Sequence, residues 1–342
     1  MQHEILTAAP LLDRKGDLAE PGWARSLLPV YCRDEIKAGK LRIKEWDYYL
    51  ITDGHIGLAL TIADNGYMGL DSISFLHFDE GWEQTKSPTR LFPRGKTGLP
   101  ETSVDGASEI ARGGYAMAFY HEDDARCLTF HMDNFRGKDA IEGIVRLTDE
   151  PRESIVIATP FEKPKHFYYI QKINCLRAEG WIELGGQRFE LTPDRFFAVL
   201  DWGRGVWTYH NTWYWGSASG ELDGVPFGWN IGYGFGNTAA ASENALFYDG
   251  TLHKLSQVTF EIPQKDSKFD YLATWKFTSD DNRFYMDFTP VLDRSACMNA
   301  GVLKSDQHQV FGHFTGRVTL DDGTVLPVRD FFGFAERVEN KW

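Results

Sequence analysis

Short runs in which apolar and polar residues alternate, or in which a few apolar residues follow one another, recur along almost the whole chain. RIKEWDYYLI (42 to 51), HIGLALTIA (55 to 63), SISFLHF (72 to 78) and CLTFHMDNF (127 to 135) fall in the first half. HFYYIQKI (166 to 173), RFFAVLDW (195 to 202), FDYLATWKF (269 to 277) and RFYMDF (283 to 288) fall in the second. The period is that of β-strands, and no long helical stripe interrupts it. WIELGGQRFEL, NALFYDGTLHKL and VTLDDGTVLPV pivot on Gly185-Gly186, Asp249-Gly250 and Asp322-Gly323, pairs that tolerate the positive φ of a tight hairpin turn. The pattern predicts antiparallel meanders and disfavours a doubly wound nucleotide-binding fold.

Many antiparallel strands are stable when a sheet closes on itself, because closure removes exposed edges. The 342 residues suffice for two such units of about 170 residues each. The proline-containing TPFEKPKHF places the boundary between an N-terminal barrel, 1–163, and a C-terminal barrel, 164–342, with few short helices. An eight-stranded barrel is about the size that encloses one small ligand. No residue-level repeat links the halves.

Composition narrows the partners. Thirty-six basic residues face 49 acidic ones, a formal charge of −13, which repels phosphate backbones and anionic lipid surfaces, so nucleic acid is not an expected partner. The first thirty residues lack a basic start followed by an apolar run, and no window is long enough to span a bilayer. The expectation is a cytoplasmic protein without stable membrane insertion. Cys32, Cys127, Cys175 and Cys297 lack CxxC spacing, which suggests reduced, mostly buried thiols. The glycines of GYGFGN (232 to 237) read as bends, and His308 and His313 point to opposite faces of a strand. No cofactor or metal is expected.

The chemistry concentrates in DWGRGVWTYHNTWYWGSASG (201 to 220). In RFFAVLDW, Phe197, Val199 and Asp201 share one strand face, and Phe196, Ala198, Leu200 and Trp202 the other. Asp201 therefore continues an apolar row, where desolvation favours a protonated acid. Arg204 opposes this if it pairs with Asp201 across Gly203 to Gly205, an arrangement that would only pin the strand end. Trp202, Trp207, Trp213 and Trp215 are costly as filler and useful as a shaped wall, with Tyr209, His210 and Asn211 adding polar points. Asn230, Glu243 and Asn244 lie in apolar surroundings that demand partners. Glu243 is a second candidate acid, or with Asn244 a loop cap.

EWDYYLITDG (45 to 54), YYIQKINCLRAEGWIELGG (168 to 186), the tryptophan block, ENALFYDGTLHKL (243 to 255) and RDFFGFAER (329 to 337) together resemble the bacterial family known as domain of unknown function 2804, over nearly the whole chain. That family is similar to the double-calycin proteins, which join two lipocalin-like barrels and include hydroxyneurosporene synthase (a carotenoid hydratase), tocopherol cyclase and fungal Diels-Alder cyclases. The resemblance implies an all-β double calycin with an apolar small-molecule pocket. It also implies that Asp201 in LDWGRG is the acid that protonates a double bond. The chain departs from the hydratase pattern after that acid, with Arg204 close by.

The leading expectation is cofactor-free acid catalysis, namely hydration, isomerisation or cyclisation of an isoprenoid or unsaturated lipid in a Trp-lined barrel pocket. Asp201 would donate the proton, Arg204 orient that acid or an anionic group of the ligand, and Trp202, Trp207, Trp213 and Trp215 exclude water and face the developing cation. A second reading is a lipid-binding protein without catalysis. A third is a carbohydrate enzyme using Asp201 and Glu243 as paired carboxylates, for which a gap well above about 10 Å leaves no room.

Overall fold

The computed structural model describes residues 2–299 and 304–341. In the first sheet the strands are β1 (Ile43–Thr52), β2 (Ile56–Asp64), β3 (Met68–His77), β4 (Trp82–Lys86), β5 (Ser108–Arg112), β6 (Tyr115–Glu122), β7 (Ala125–Arg136), β8 (Asp139–Thr148), β9 (Phe167–Leu184) and β10 (Phe197–Val206). The second sheet holds β11 (His210–Leu222), β12 (Val225–Tyr233), β13 (Ala245–Tyr248), β14 (Thr251–Lys254), β15 (Val258–Glu261), β16 (Trp275–Ser279), β17 (Phe284–Asn299), β18 (Lys304–Thr319) and β19 (Val325–Lys341). Shorter strands flank the first sheet, and the described helical segments are two single 3₁₀ turns, Arg33–Glu35 and Lys40–Arg42.

Both sheets follow one rule. In the first the spatial order is β4-β3-β2-β1-β10-β9-β8-β7-β6-β5, and in the second β14-β13-β12-β11-β19-β18-β17-β16-β15. Each is an up-and-down meander whose first strand pairs with its last, β1 with β10 and β11 with β19, leaving one opening between consecutive strands. Side chains reach across the first opening: Lys86 Nζ meets the Asn134 carbonyl, and Arg136 lies 4.0 Å from the centroid of Trp82. The expected all-β, calycin-like architecture is what the chain adopts, as two curled antiparallel sheets.

Side-chain alternation gives every central strand two duties. On β10, Ala198, Leu200, Trp202 and Val206 enter the core inside the first sheet, with Tyr49 and Ile51 of β1 and Tyr169 and Ile173 of β9. Phe227, Trp229, Trp275, Phe288 and Phe314 fill the inside of the second. The opposite faces of the same strands, carrying Tyr48, Leu50, Val199, Trp215, Phe311 and Phe334, pack the sheets back to back. The curled sheets are thus filled by their own cores, and a seam lies between them.

The chain crosses between sheets at residues 207–209, not at the proline segment. The strand Ile155–Pro160 pairs with Phe167–Lys172 of β9, so Pro160 to Pro164 forms a hairpin loop within the first sheet. β9 and β10 therefore belong with residues expected to lie in the other half. Gly185-Gly186 and Asp249-Gly250 form the two-residue turns read from the sequence, with positive φ at all four positions. Asp322-Gly323 instead sits in a five-residue connection between Thr319 and Val325. Within FDYLATWKF the middle is a turn, Ala273 N–H donating to Asp270, and the strand begins at Trp275. All four cysteines are free, Cys127 and Cys175 buried and Cys297 exposed.

One bulge fastens the seam. Between Ile173 and Leu176 the register of β9 shifts, and Cys175 takes φ 61°, so Asn174 turns toward the second sheet. Its Nδ2 donates to Ser217 Oγ (2.8 Å), the Trp229 carbonyl (3.0 Å) and the Ala218 carbonyl (3.2 Å). Truncating a buried donor leaves its acceptors short of partners. Asn174→Ala should cost about 2 kcal/mol, read as a lower urea midpoint; an unchanged midpoint would show that the sheets hold together without this contact.

Candidate active site

The register of the two sheets writes out a site in the seam. On the first sheet, cross-strand neighbours share a face, so Lys172 (β9), Asp201 (β10), Tyr48 (β1), Thr61 (β2) and Ser72 (β3) form one row. On the second, Trp215 (β11), Glu336 (β19), Gln309 (β18) and Arg294 (β17) form another. The rows face each other. Lys172 Nζ lies 3.7 Å from the centroid of Trp215, Gln309 Nε2 donates to the Tyr48 hydroxyl (3.3 Å), and Arg294 Nη1 donates to Ser74 Oγ of β3 (3.0 Å). All nine row residues line a cavity of about 270 Å³, close to the lower end of small-molecule pockets.

The deep end holds buried charge. Lys172 Nζ contacts Asp201 Oδ2 at 2.7 Å and Glu243 Oε2 at 3.6 Å. Asn230 Nδ2 donates to Glu243 Oε2 (2.9 Å), and Trp215 Nε1 donates to Asn230 Oδ1 (2.7 Å). Trp215 thereby anchors the asparagine with its N–H and faces the ammonium with its ring. Burial pushes the Glu243 carboxyl up, against the pull of Lys172 and Asn230. Asp201 Oδ1 accepts no hydrogen bond from the described residues.

Glu336 is held differently. Its Oε1 accepts from Trp213 Nε1 (2.9 Å) and its Oε2 from Gln309 Nε2 (3.3 Å), and among the described residues no cation lies within ion-pair distance. Burial pushes its carboxyl up to about 7, opposed by the Trp213 N–H and by the more distant Lys172 and Arg294, and reinforced by the charge of Asp201. Two buried acids in one cavity thus sit in unlike environments: Asp201 beside an ammonium, Glu336 between neutral donors.

The wall is aromatic. Trp207, Trp213, Phe235 and Tyr168 meet edge to face, and Trp46 lies parallel to Tyr168 and edge to face with Trp207, with Trp207 and Phe235 4.7 Å apart and Trp46 and Trp207 5.2 Å apart. Gly203 makes room for this: a Cβ there would collide with the Trp46 indole, which lies flat across the strand. The glycines of GYGFGN act as expected, Gly234 and Gly236 taking positive φ so that Phe235 enters the wall.

Of the residues marked by sequence, Asp201, Glu243, Trp207, Trp213 and Trp215 line the cavity, and Asn230 supports it from behind. Trp202 and Arg204 do not. β10 runs unbroken through Gly203 to Gly205, so Arg204 is on the opposite face from Asp201, and no turn brings them together. Arg204 is buried inside the first sheet, donating to Asp47 Oδ1 (3.0 Å) and to the Trp46 and Pro100 carbonyls, with its guanidinium over Trp202 at 4.3 Å. Asn244 braces the backbone, accepting from Gly232 N–H and donating to the Ser256 carbonyl. Tyr209 and His210 lie at the exposed crossing, His210 near Glu339 (3.6 Å). The pocket also lies between the sheets, not inside a barrel, because each interior is already packed.

Lys172, Glu336, Gln309 and Arg294 escaped sequence reading. Two of them carried the same signal as Asp201: Glu336 continues the row Phe332, Phe334 in RDFFGFAER, and Lys172 the row Tyr168, Ile170. The shared ammonium holds Asp201 and Glu243 closer than the ~10 Å limit for paired carboxylates, but it occupies the space between them. Among the described residues no group of three or more His, Cys, Asp or Glu could hold a metal.

Two curled antiparallel meanders, back to back around a ligand-sized cavity, define a calycin-like protein. The chain belongs to the family described as Domain of unknown function (DUF2804), which it matches over residues 2–342. No curated protein matches it by sequence. Its fold is that of an AttH protein from Nitrosomonas europaea, with TM-score 0.57, 13% identity, and 96% of this chain and 98% of that one covered. Looser likenesses are to kievitone hydratase from Nectria haematococca (TM-score 0.49, 9% identity, 98% of each chain) and to CghA (TM-score 0.47, 10% identity, 98% of this chain and 97% of that one).

The environment of Glu336 has a measurable cost. A carboxyl whose native pKa is raised stabilises the fold fully below its unfolded value, and that stability is lost as pH rises through the native value. Between roughly pH 4.5 and 7 this group should remove on the order of 3 kcal/mol. Glu336→Gln, which cannot ionise, should match wild type near pH 4.5 and exceed it by about 2 to 3 kcal/mol at pH 8 in urea titrations. Parallel stability curves would mean that Glu336 titrates as an ordinary carboxyl.

Proposed function

We propose that this protein catalyses a proton-initiated hydration, isomerisation or cyclisation at a double bond of a small hydrophobic molecule held in the seam. The observation that carries this reading is Glu336, a buried acid on the cavity wall that keeps its proton near neutrality beside an aromatic surface. A general acid works best with a pKa close to the working pH. Asp201, the donor expected from sequence, takes the part of proton acceptor in this reading. It sits in an ion pair with Lys172, and no described residue donates to its Oδ1.

In this reading Glu336 gives its proton to one alkene carbon, and the neighbouring carbon becomes electron-poor. The π faces of Trp207, Trp213 and Trp215 stabilise that charge, as aromatic rings do for cations. For hydration, a water oxygen adds to the cation and its released proton passes to Asp201. For isomerisation, no water adds; an adjacent C–H gives its proton to Asp201 and its bonding electrons form the new double bond. For cyclisation, a second double bond of the same molecule supplies the electrons, and the final proton again leaves to Asp201. Transfer from Asp201 back to Glu336 restores the resting state. Lys172 and Glu243 fix the Asp201 carboxylate in place throughout.

Incubating a lipid extract with wild type, Glu336→Gln and Asp201→Asn, followed by untargeted mass spectrometry, tests this. Wild type should convert a compound with a mass change of one water or none, and Glu336→Gln should lower turnover by at least about 10²-fold while still retaining the compound. Asp201→Asn should slow the reaction less. A compound retained unchanged by all three proteins would reduce the seam to a binding site.

A further inference from the structure

The end of the cavity away from Lys172 carries a cation with no acidic partner among the described residues. Arg90, Arg126 and Arg204, the buried arginines among the described residues, each engage a carboxylate, from Asp71, Glu150 and Asp47 respectively. Arg294 lines the cavity, yet its hydrogen bond is to the Ser74 hydroxyl, and among the described residues no carboxylate lies within ion-pair distance. Its neighbour Asp293 binds His308 instead (2.7 Å). Glu83, which lines the same cavity, accepts from Thr85 Oγ1 (2.8 Å). The guanidinium faces the seam, reaching across it to Ser74 of the first sheet from its place in the cavity wall.

The surroundings of Arg294 also differ from the deep end. Thr61, Ser72 and Thr85 supply hydroxyls, and the exposed Ser87 and Ser295 form the rim, so a polar group there keeps contact with water. A guanidinium presents a planar fork of donors that matches two oxygens of one carboxylate. One such fork, in a chain of net charge −13, suits a monoanion better than a phosphate dianion.

We infer that the substrate is an unsaturated carboxylic acid, its carboxylate held by Arg294 at the rim and its apolar, double-bonded body laid along the seam toward Trp213 and Trp215. This rests on the reading above in placing the substrate in the seam and in giving it a double bond; the carboxylate head is what Arg294 adds. The row Arg294, Gln309, Glu336, Trp215 then orders the molecule from head to reacting carbon. Gln309 spans from the Tyr48 hydroxyl to the acid, and the wall beyond accommodates hydrocarbon.

The inference is tested with matched probes whose bodies are the same and whose heads differ: geranate against geraniol, and cinnamate against cinnamyl alcohol. Binding is followed at pH 8 by quenching of tryptophan fluorescence. Wild type should bind each carboxylate about tenfold or more tighter than its alcohol, as expected for charge-assisted hydrogen bonds. Arg294→Gln should remove that preference while leaving alcohol affinity unchanged, which also shows an intact seam, and Arg294→Lys should restore part of it. Equal affinities in wild type, a preference that survives in Arg294→Gln, or no binding of any probe at millimolar concentration would each overturn the inference. Glu336→Gln should keep the carboxylate preference, so a failed acid role and a failed head-group role give different results.

Discussion

The governing constraint is that a β-strand has two faces and both must be accounted for. Each central strand spends one face on the interior of its own curled sheet, where Trp202, Tyr169, Trp229 and Phe314 lie. The other face then has no solvent to meet, because the second sheet covers it. What stands on that face must be apolar or fully partnered. Most of it is apolar, and the exceptions gather in two opposed rows, which makes their chemistry a consequence of packing as much as of the individual residues.

Those exceptions divide into two ways of burying charge. Lys172, Asp201 and Glu243 are arranged so that opposite charges meet, with Asn230 and the Trp215 ring satisfying what remains. Buried pairs of this kind add little net stability against an apolar replacement, yet breaking one by removing a single partner is costly. Glu336 takes the other route, with neutral donors on both oxygens. A single cavity therefore holds carboxyls in two kinds of surroundings, one paired with an ammonium and one between neutral donors, and the difference comes from neighbours and not from residue type.

Much of this was legible one strand at a time. Alternation in RFFAVLDW put Asp201 on the face opposite Trp202, and the structure keeps that division. The same alternation also places Arg204 opposite Asp201; an imagined turn at Gly203 obscured it, whereas Gly203 is small because the Trp46 ring needs the space. Pro160 and Pro164 suggested a boundary because prolines interrupt ladders, but the interruption is a hairpin loop. The true crossing lies inside the tryptophan block, where ring-rich sequence hides a strand end. The block divides, with Trp202 in a core and Trp207, Trp213 and Trp215 in the cavity wall. Lys172 and Glu336 stood out only as polar members of apolar rows, and what makes them chemically distinct is their pairing with residues far away in sequence. Such pairing depends on register between sheets, which no local pattern encodes.

The way each meander closes also has a bearing on how the molecule comes into being. Most ladders join neighbours in sequence and can form as hairpins while the chain is still growing, since nearby segments meet at low entropic cost. The two closing ladders, β1 with β10 and β11 with β19, must wait for strands made long afterwards. The first sheet can close once Val206 has emerged, but the second closes on the final strand, Val325–Lys341, which also brings in Glu336. During synthesis the part of the first sheet's outer face that β19 covers therefore stays open until that strand has been made, even when Trp215 of β11 has already met Tyr48. The cavity is not complete before β19 is in place, and a chain stalled or cut ahead of that strand leaves part of its aromatic wall exposed.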